Sequence, residues 1–313
     1  MTYVVPVKST LSTIYNESTY EASTYNDVIS TDAQDDVITE WDKDTEFTQG
    51  QFVKVSALKR LYRCAASSST GEFPPANSQV FTDYGAVNSY KMFDEVINSQ
   101  TKFDSSCNVS IGFNRSNTIG ILNIKNVYTV QIEQVDNVTS EVVYSKTIEL
   151  ANYGASSLYD YWYKQIQYEK DIVLFDLVYL PDSKINIIFS GNENSLVGSV
   201  ISGLADNIAI TLYGSSVKLN DFSTYQVDEY GNTTFSKRGY SRTITGQVII
   251  DATRIDETIY KLSELRGAIT LFSGDEQADG YKSLMTLGYI KDLKIPIDSP
   301  SKSKFPITII GVV

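Results

Sequence analysis

The sequence predicts a mainly β protein with a minor α+β part: a small hairpin module, a β-sandwich, and a C-terminal antiparallel sheet that carries one helix. Short runs of alternating apolar and polar residues are dense from Cys107 onward, which is typical of half-buried strands. Turn residues separate these runs at short intervals, as they do in β-sandwiches. A helical apolar period is found at residues 253–266.

Residues 1–40 are rich in Ser, Thr, Asn and Asp, and their apolar side chains follow neither a strand period nor a helix period. We expect an extended N-terminal arm that is loosely ordered alone and is anchored on a neighbouring subunit. The expected anchors are Tyr3, Val5, Ile14, Tyr15, Tyr20 and Tyr25. A frayed terminus is an equally good interpretation of this composition.

Residues 41–105 are predicted to form a small hairpin unit and its connector. Residues 51–56 and 61–66 have the composition of two short strands, and Trp41 precedes them. Phe73-Pro74-Pro75 closes the unit. Two strands bury too little apolar surface to be stable by themselves, so this unit needs a neighbouring part of the chain.

Residues 106–200 are predicted to form the β-sandwich. The candidate strands are 119–125, 128–135, 141–150, 172–178 and 185–189. In the second of them Tyr128, Val130 and Ile132 alternate with polar residues, so we expect these three side chains to be buried.

Residues 201–313 are predicted to form an α+β domain. Its candidate strands are 208–213, 240–250, 268–272, 284–295 and 305–312. In the helix between them, Thr253 and Asp256 resemble a capping box, and Gly267 suits the position after the helix. The buried stripe of the helix is expected to be Ile255, Ile259 and Leu262.

The charge and the missing residue types exclude several classes of function. With 38 acidic and 26 basic residues the net charge is −12, which disfavours nucleic acid as a partner. The chain contains no histidine, so His-dependent triads, dyads and zinc sites are excluded, and no phosphate-binding loop is present. We therefore predict a non-enzymatic protein with no cofactor and no metal, with Cys64 and Cys107 as free thiols.

Two chemical alternatives remain open. Asp42, Asp44 and Glu46 imitate part of a calcium loop, but Phe47 and Val53 occupy the positions of its glycine and its bidentate carboxylate. Paired carboxylates can hydrolyse glycosides without histidine, so a polysaccharide depolymerase stays possible. No stretch approaches the ~20 apolar residues of a membrane helix, so no membrane partner is predicted.

Tyrosine is abundant, with 22 residues, and aromatic residues cluster in one short region. The cluster comprises Tyr153, Tyr159, Tyr161, Trp162, Tyr163 and Tyr168. Aromatic side chains are enriched at protein interfaces because they bury a large area at low entropic cost. Contact between subunits, packing within a β-domain and stacking on sugars are all consistent with this cluster.

Two motifs resemble known families. Trp41, Gly50, Val53, Tyr62 and Arg63 in WDKDTEFTQGQFVKVSALKRLYRC resemble the hairpin of chitin-binding-type carbohydrate modules, similar segments of which occur in phage tail proteins. The following segment NSYKMFD at residues 88–94, which contains Tyr90, Met92 and Phe93, resembles a pattern found in tail and virion proteins of tailed bacteriophages, as does the later Thr101. VGSVISG at 197–203, RGYSR at 238–242 and the segment 288–312 are consistent with that group.

The phage resemblance implies a structural subunit of the tail, neck or baseplate that is assembled in the host cytoplasm into the virion, in an oligomer of itself with other tail or baseplate proteins. The expected module and interface residues are Trp41, Tyr62, Tyr90, Met92, Phe93, Tyr159, Tyr161, Trp162 and Tyr163. The module resemblance implies the alternative, a receptor-binding or glycan-binding tail protein with weak glycan contact. Ala57-Leu58-Lys59 replaces the glycine that usually precedes the tyrosine in sugar-binding modules.

Overall fold

The computed structural model describes residues 1–6, 12–16, 21–25, 28–94, 96–113, 115–152, 157–163, 167–274, 281–297 and 300–312. The protein is mainly β, with 54% strand and 11% helix, which confirms the predicted fold class. Tyr20 and Tyr153 lie outside the described residues, as do the side chains of Val5, Ile14, Tyr15, Tyr25 and Tyr161.

The strands of the first half of the chain are β1 Thr2–Pro6, β2 Ser12–Asn16, β3 Glu21–Tyr25, β4 Val28–Thr31, β5 Phe47–Thr48, β6 Phe52–Val55, β7 Arg60–Cys64, β8 Ser68–Ser69, β9 Phe81–Ala86, β10 Thr101–Phe103, β11 Ser106–Gly112, β12 Thr118–Leu122, β13 Lys125–Asp136 and β14 Val142–Glu149. Those of the second half are β15 Ala151–Asn152, β16 Gln167–Tyr168, β17 Ile172–Leu174, β18 Ser183–Val197, β19 Ser199–Asn207, β20 Ile210–Asp221, β21 Thr224–Val227, β22 Thr233–Ser236, β23 Tyr240–Asp251, β24 Thr270–Ser273, β25 Met285–Leu293 and β26 Lys302–Gly311.

The α-helices are α1, Leu158–Tyr163, and α2, Ile255–Glu264. Short 3-10 helices are formed by Ser56–Leu58, Asn88–Phe93, Ala252–Arg254 and Lys282–Leu284. In the part of the chain that the structure describes, no helix has the length and apolar character required to cross a bilayer.

The chain divides into two compact units. Unit 1 comprises Met1–Pro6 and Gly203–Val313, and unit 2 comprises Val7–Ser202. Unit 2 contains both the hairpin module and the sandwich strands, so the finer division of residues 41–200 into separate domains stays a prediction.

Unit 1 is built on an antiparallel sheet. Residues 203–207 of β19 form its first strand, and β1, β24, β25, β26, β23 and β20 follow in that order. Ile255 and Leu262 of α2, together with Leu265 just after the helix, share one apolar core with side chains of β23 and β26 such as Ile244 and Ile307. This arrangement matches the predicted sheet with one helix.

The prediction of a free arm is wrong for residues 1–6. The strand β1 pairs with β19 on one side and with β24 on the other, so it is an interior strand of the sheet. Tyr3 and Val4 are buried, at 6% and 1% exposure. The Tyr3 hydroxyl donates a hydrogen bond to Asp206 Oδ2 at 3.3 Å, and burial, assisted by the Asp206 charge, raises the Tyr3 pKa to about 12. The apolar side chains of this strand belong to the core of its own chain.

The helix α2 differs from its prediction in two respects. The residue before its first turn is Arg254, and no side chain caps the helix, so the expected capping box of Thr253 and Asp256 does not form. Ile259 is exposed, because Thr258 and Leu265 complete the buried stripe instead. At the C-terminal end the structure agrees with the prediction that Gly267 follows the helix. Gly267 has a φ of 74°, a left-handed value that residues with a side chain adopt only with strain.

Unit 2 contains the sandwich strands. Its largest sheet has the order β14, β13, β18, β11 and β4, and β10 pairs with another part of β18. The antiparallel pair of β12 and β17 contributes side chains to the same core. In β13 the predicted alternation holds for Val130 and Ile132 but not for Tyr128, which is exposed. A β-bulge on either side of Val127 shifts the register there and reverses the face that Tyr128 occupies.

The hairpin module has its own core within unit 2. Its sheet has three strands, in the order β6, β7 and β9, one more than the sequence indicated. Phe47, Val53, Leu58 and Phe81 are among the buried side chains of its core. Cys64 and the sandwich residue Cys107 are both buried free thiols, as predicted.

The burial of β1 leads to a stability prediction. Val4→Ala should lower the free energy of unfolding by about 2 kcal/mol, because it removes two buried methyl groups and leaves a cavity. Val37→Ala is the matched control, since Val37 is fully exposed, and it should change stability by less than about 0.5 kcal/mol. Denaturant titration of both full-length variants measures the difference, and equal midpoints would show that β1 does not stabilise the sheet.

Candidate protein-binding surfaces

The predicted site residues of the hairpin module are structural. Tyr62 is buried in the module core. Trp41 is partly buried: its Nε1 donates to the Glu72 carbonyl at 3.0 Å, and its ring meets that of Phe73 edge to face at 5.0 Å. Both residues therefore help to close the module, and the buried ring of Tyr62 cannot stack on a sugar.

The NSYKMFD segment begins with a buried asparagine that connects three parts of the chain. The Asn88 amide nitrogen donates to the carbonyl oxygens of Gln34 and Lys102, at 2.8 and 2.7 Å, and its oxygen accepts the N–H of Lys102 at 3.0 Å. The neighbouring Ser89 N–H donates to Asp35 Oδ1 at 2.8 Å. Asn88 thus satisfies the carbonyl of Gln34 in an irregular segment and both backbone groups of Lys102 on β10, which requires a side chain that both donates and accepts.

The apolar pair of the same segment is buried in the sandwich core. Met92 and Phe93 are 0% and 1% exposed and belong to the core formed by β11, β13 and β18. The Met92 N–H donates to the hydroxyl of Thr101, which is itself buried on β10. Tyr90 is partly buried, and its ring packs against that of Phe93 at 6.0 Å. The segment thus connects β9 of the module to the sandwich, and the buried side chains of Met92 and Phe93 are not available to another subunit.

The motif ends in an aspartate with unusual electrostatics. Burial raises the pKa of Asp94 to about 6, and this effect outweighs hydrogen bonds from Ser99 and Val96 and the nearby charges of Arg60 and Lys91. The Val96 N–H donates to Asp94 Oδ1 at 3.0 Å, so the side chain also fixes the turn that follows the motif. At neutral pH the charge on this half-buried carboxylate therefore lowers the stability of the folded protein.

This cost predicts a dependence of stability on pH. The folded protein retains a proton on Asp94 up to about pH 6, whereas the unfolded chain loses it near pH 4, so the contribution of Asp94 falls as the pH rises between these values. Asp94→Asn keeps the acceptor for Val96 and should remove this slope, which amounts to about 1–2 kcal/mol after solvent screening. Denaturant midpoints of the wild type and of Asp94→Asn, measured from pH 4 to 7, test this dependence. Parallel pH profiles of the two proteins would contradict it.

An exposed aromatic pair lies on the module surface and was missed by the sequence analysis. Phe52 on β6 and Tyr84 on β9 are exposed, and their rings meet edge to face with centroids 4.8 Å apart. The guanidinium group of Arg63 on the intervening strand lies 6.0 Å from the Phe52 ring centroid. Pairing of three strands brings these side chains together, and only two of the strands had been recognised in the sequence.

The predicted tyrosine cluster includes an exposed helical face. Leu158, Tyr159, Trp162 and Tyr163 on α1 are each at least 70% exposed, and we call them the α1 aromatic face. Their spacing of three and four residues places them on one side of the helix. The rings of Tyr159 and Tyr163 lie 4.7 Å apart. Contiguous apolar surfaces of this kind mark binding sites for proteins or other ligands.

A further exposed surface, which the sequence analysis did not predict, lies in unit 1. The strands β21 and β22 form a hairpin in which every residue from 224 to 238 is exposed, and we call residues 219–242 the ribbon. Its tip is well ordered, because Asp228 accepts the N–H groups of Tyr230 and Asn232 at 2.9 and 2.7 Å. The sequence signal was present as Asp and Gly in DEYGN between two alternating runs, TYQV and TTFS.

The side chains of these surfaces are mainly aromatic and aliphatic, which suits binding. Among the described residues, no three cysteine, aspartate or glutamate side chains lie close enough together to hold a metal ion. No protein-family model matches the sequence, and no curated protein and no solved structure matches it significantly. The resemblance of residues 41–312 to phage tail and virion proteins therefore stays a proposal.

Proposed function

We propose that this protein is a structural subunit of a tailed-phage virion, in the tail, neck or baseplate, where it binds copies of itself and other tail proteins. It turns over no substrate and needs no cofactor. Assembly takes place in the host cytoplasm, and the mature protein resides in the particle.

The observation that carries this proposal is the exposure of large aromatic side chains on two separate surfaces. The α1 aromatic face belongs to unit 2, and the ribbon belongs to unit 1. Monomeric soluble proteins rarely expose such groups of aromatic side chains to water. Covering them with another protein is favourable because it removes apolar surface from water. A chain with two such surfaces can contact two neighbours at once, which suits a subunit of an extended assembly.

The sequence resemblance supports the same proposal from another direction. Its most specific segment, NSYKMFD with Thr101, forms a joint between the module and the sandwich strands through Asn88, Met92 and Phe93. Because these residues hold two parts of the chain together, a resemblance at this segment supports a similar architecture. It says less about a similar ligand.

The proposal predicts that the protein is a fixed component of purified particles. Quantitative mass spectrometry of particles banded on a density gradient should find it in a constant ratio to the major capsid protein. Complementation with a Tyr159→Ser, Tyr163→Ser double variant should lower that ratio at least about tenfold, because the variant loses the rings that a neighbouring chain would cover. The melting temperature should be unchanged, since both rings are exposed.

Tyr84→Ser is the matched control for this experiment, because Tyr84 is an equally exposed tyrosine of unit 2 outside the α1 aromatic face. It should be incorporated like the wild type. Absence of the wild-type protein from particles would overturn the proposed function. Normal incorporation of the double variant would show that the α1 aromatic face does not contribute to assembly.

The second candidate function is glycan binding by the module, which the exposed pair of Phe52 and Tyr84 favours. Exposed rings stack on sugar faces, and Arg63 supplies hydrogen-bond donors beside them. This surface is distinct from the positions of Trp41 and Tyr62, which the resemblance to carbohydrate modules had indicated.

Calorimetric titration with chito-oligosaccharides and host surface glycans tests this candidate. Tyr84→Ser should weaken binding about tenfold, whereas Tyr159→Ser should leave it unchanged. If no glycan binds, or if the two variants behave alike, the module surface does not bind sugars.

A further inference from the structure

The two faces of the ribbon differ in chemistry. Tyr225 and Val227 lie directly opposite Phe235 and Thr233, so these four side chains share one face. The other face carries only Thr224, Gln226, Thr234 and Ser236. The rings of Tyr225 and Phe235 are 6.4 Å apart and are 70% and 75% exposed. The ribbon thus has the pattern of a sheet that buries one face, but among the described residues no side chain covers that face.

The apolar face continues into a groove at the base of the ribbon. This groove has a volume of about 400 Å³, and its lining includes Leu219, Phe235 and Tyr240. Below the hairpin of β21 and β22, the two-stranded pairing continues in β20 and β23, where Asp221 pairs with Tyr240 and Leu219 with Arg242. The apolar surface therefore runs from near the tip to the base.

Charge divides the ribbon into two ends. The tip carries Asp228 and Glu229, and the base carries Lys237 and Arg238, with Lys218 and Arg242 farther along β20 and β23 and Asp221 as the one acidic residue among them. Residues 232 and 237 are five positions apart, so about 17 Å separates the tip from the base. This distance exceeds the Debye length of about 8 Å at physiological salt, and the two ends act as separate charged groups.

We propose that the ribbon is a self-association site that binds the ribbon of a second copy of this chain, apolar face against apolar face and in antiparallel orientation. The acidic tip of each copy then lies at the basic base of the other, and the Tyr225 and Phe235 rings of both copies meet at the centre. This inference deepens the proposed function, and it rests on that function in naming the partner as a fellow subunit.

The charges select both the partner and the orientation. A surface that is acidic at one end, apolar in the middle and basic at the other end is complementary to its own copy rotated by a two-fold axis. The parallel arrangement would place Asp228 and Glu229 of one copy beside the same residues of the other, and like charges repel. The ordered tip means that little conformational entropy is lost on binding.

Sedimentation equilibrium of the purified full-length protein tests the contact between the apolar faces. We expect the wild type to form dimers, and a Tyr225→Ser, Phe235→Ser double variant should have a dissociation constant raised at least about tenfold. The matched control is Gln226→Ser with Thr234→Ser, which alters the opposite face of the same strands and should dimerise normally. A wild type that stays monomeric at its highest soluble concentration, or a double variant that dimerises normally, would overturn the proposal.

Charge reversal tests the antiparallel orientation. Glu229→Lys with Tyr230→Lys gives the tip a net positive charge although Asp228 is kept, so both ends of the ribbon are then basic. Lys237→Glu with Arg238→Glu makes both ends acidic, and each of these variants alone should dimerise about tenfold more weakly. An equimolar mixture should regain dimers of near wild-type affinity, because opposite charges then meet at both ends. This recovery also excludes misfolding of either variant, and failure of the mixture to recover would rule out the antiparallel arrangement.

These measurements use the isolated protein, so they are independent of the particle experiment. Self-association can fail while the chain is still found in virions, and a chain that is absent from virions can still dimerise through its ribbon.

Discussion

The insertion of β1 between β19 and β24 is the contact on which the fold of unit 1 depends. It joins residues 2–6 to strands that follow about 200 and about 270 residues later, so the sheet is completed only when distant parts of the chain meet. The entropic cost of closing such a loop grows with the logarithm of its length, each doubling adding only about 0.6 kcal/mol, so a long insertion is tolerated. The consequence is kinetic: non-local pairing of this kind slows folding.

The NSYKMFD segment has the corresponding role inside unit 2. Its side chains either bond the backbone of Gln34 and of strand β10, as Asn88 does, or fill the sandwich core, as Met92 and Phe93 do. A small hairpin module has too little core to stand alone, and this segment connects it to a larger one. The residues on which the proposed resemblance depends are here those of an internal joint, so they bear on architecture, and the binding surfaces lie elsewhere.

The fold class and most strands could be predicted because a period of two is a local signal that needs no knowledge of partners. The failures arise where the outcome is decided by distant residues. Tyr3 and Val4 begin a region, residues 1–40, that is polar as a whole, and only the pairing with β19 and β24 makes them core residues. The bulges beside Val127 reverse the orientation of Tyr128, and no sequence pattern indicated them. At the candidate site, exposure of the α1 aromatic face depends on which surfaces the sandwich leaves open, and this is a property of the complete fold.

The two exposed surfaces have different consequences for assembly because of symmetry. A ribbon contact with a two-fold axis uses the same surface on both copies, so it is satisfied by one partner and closes at the dimer. Growth of a ring or a stack beyond the dimer requires a second, different surface. The α1 aromatic face belongs to the other unit of the chain and carries no part of the ribbon, so it can supply that contact. In the proposed assembly, the ribbon dimer therefore forms first and enters the particle intact, because the particle contact uses the α1 aromatic face and leaves the ribbon contact in place.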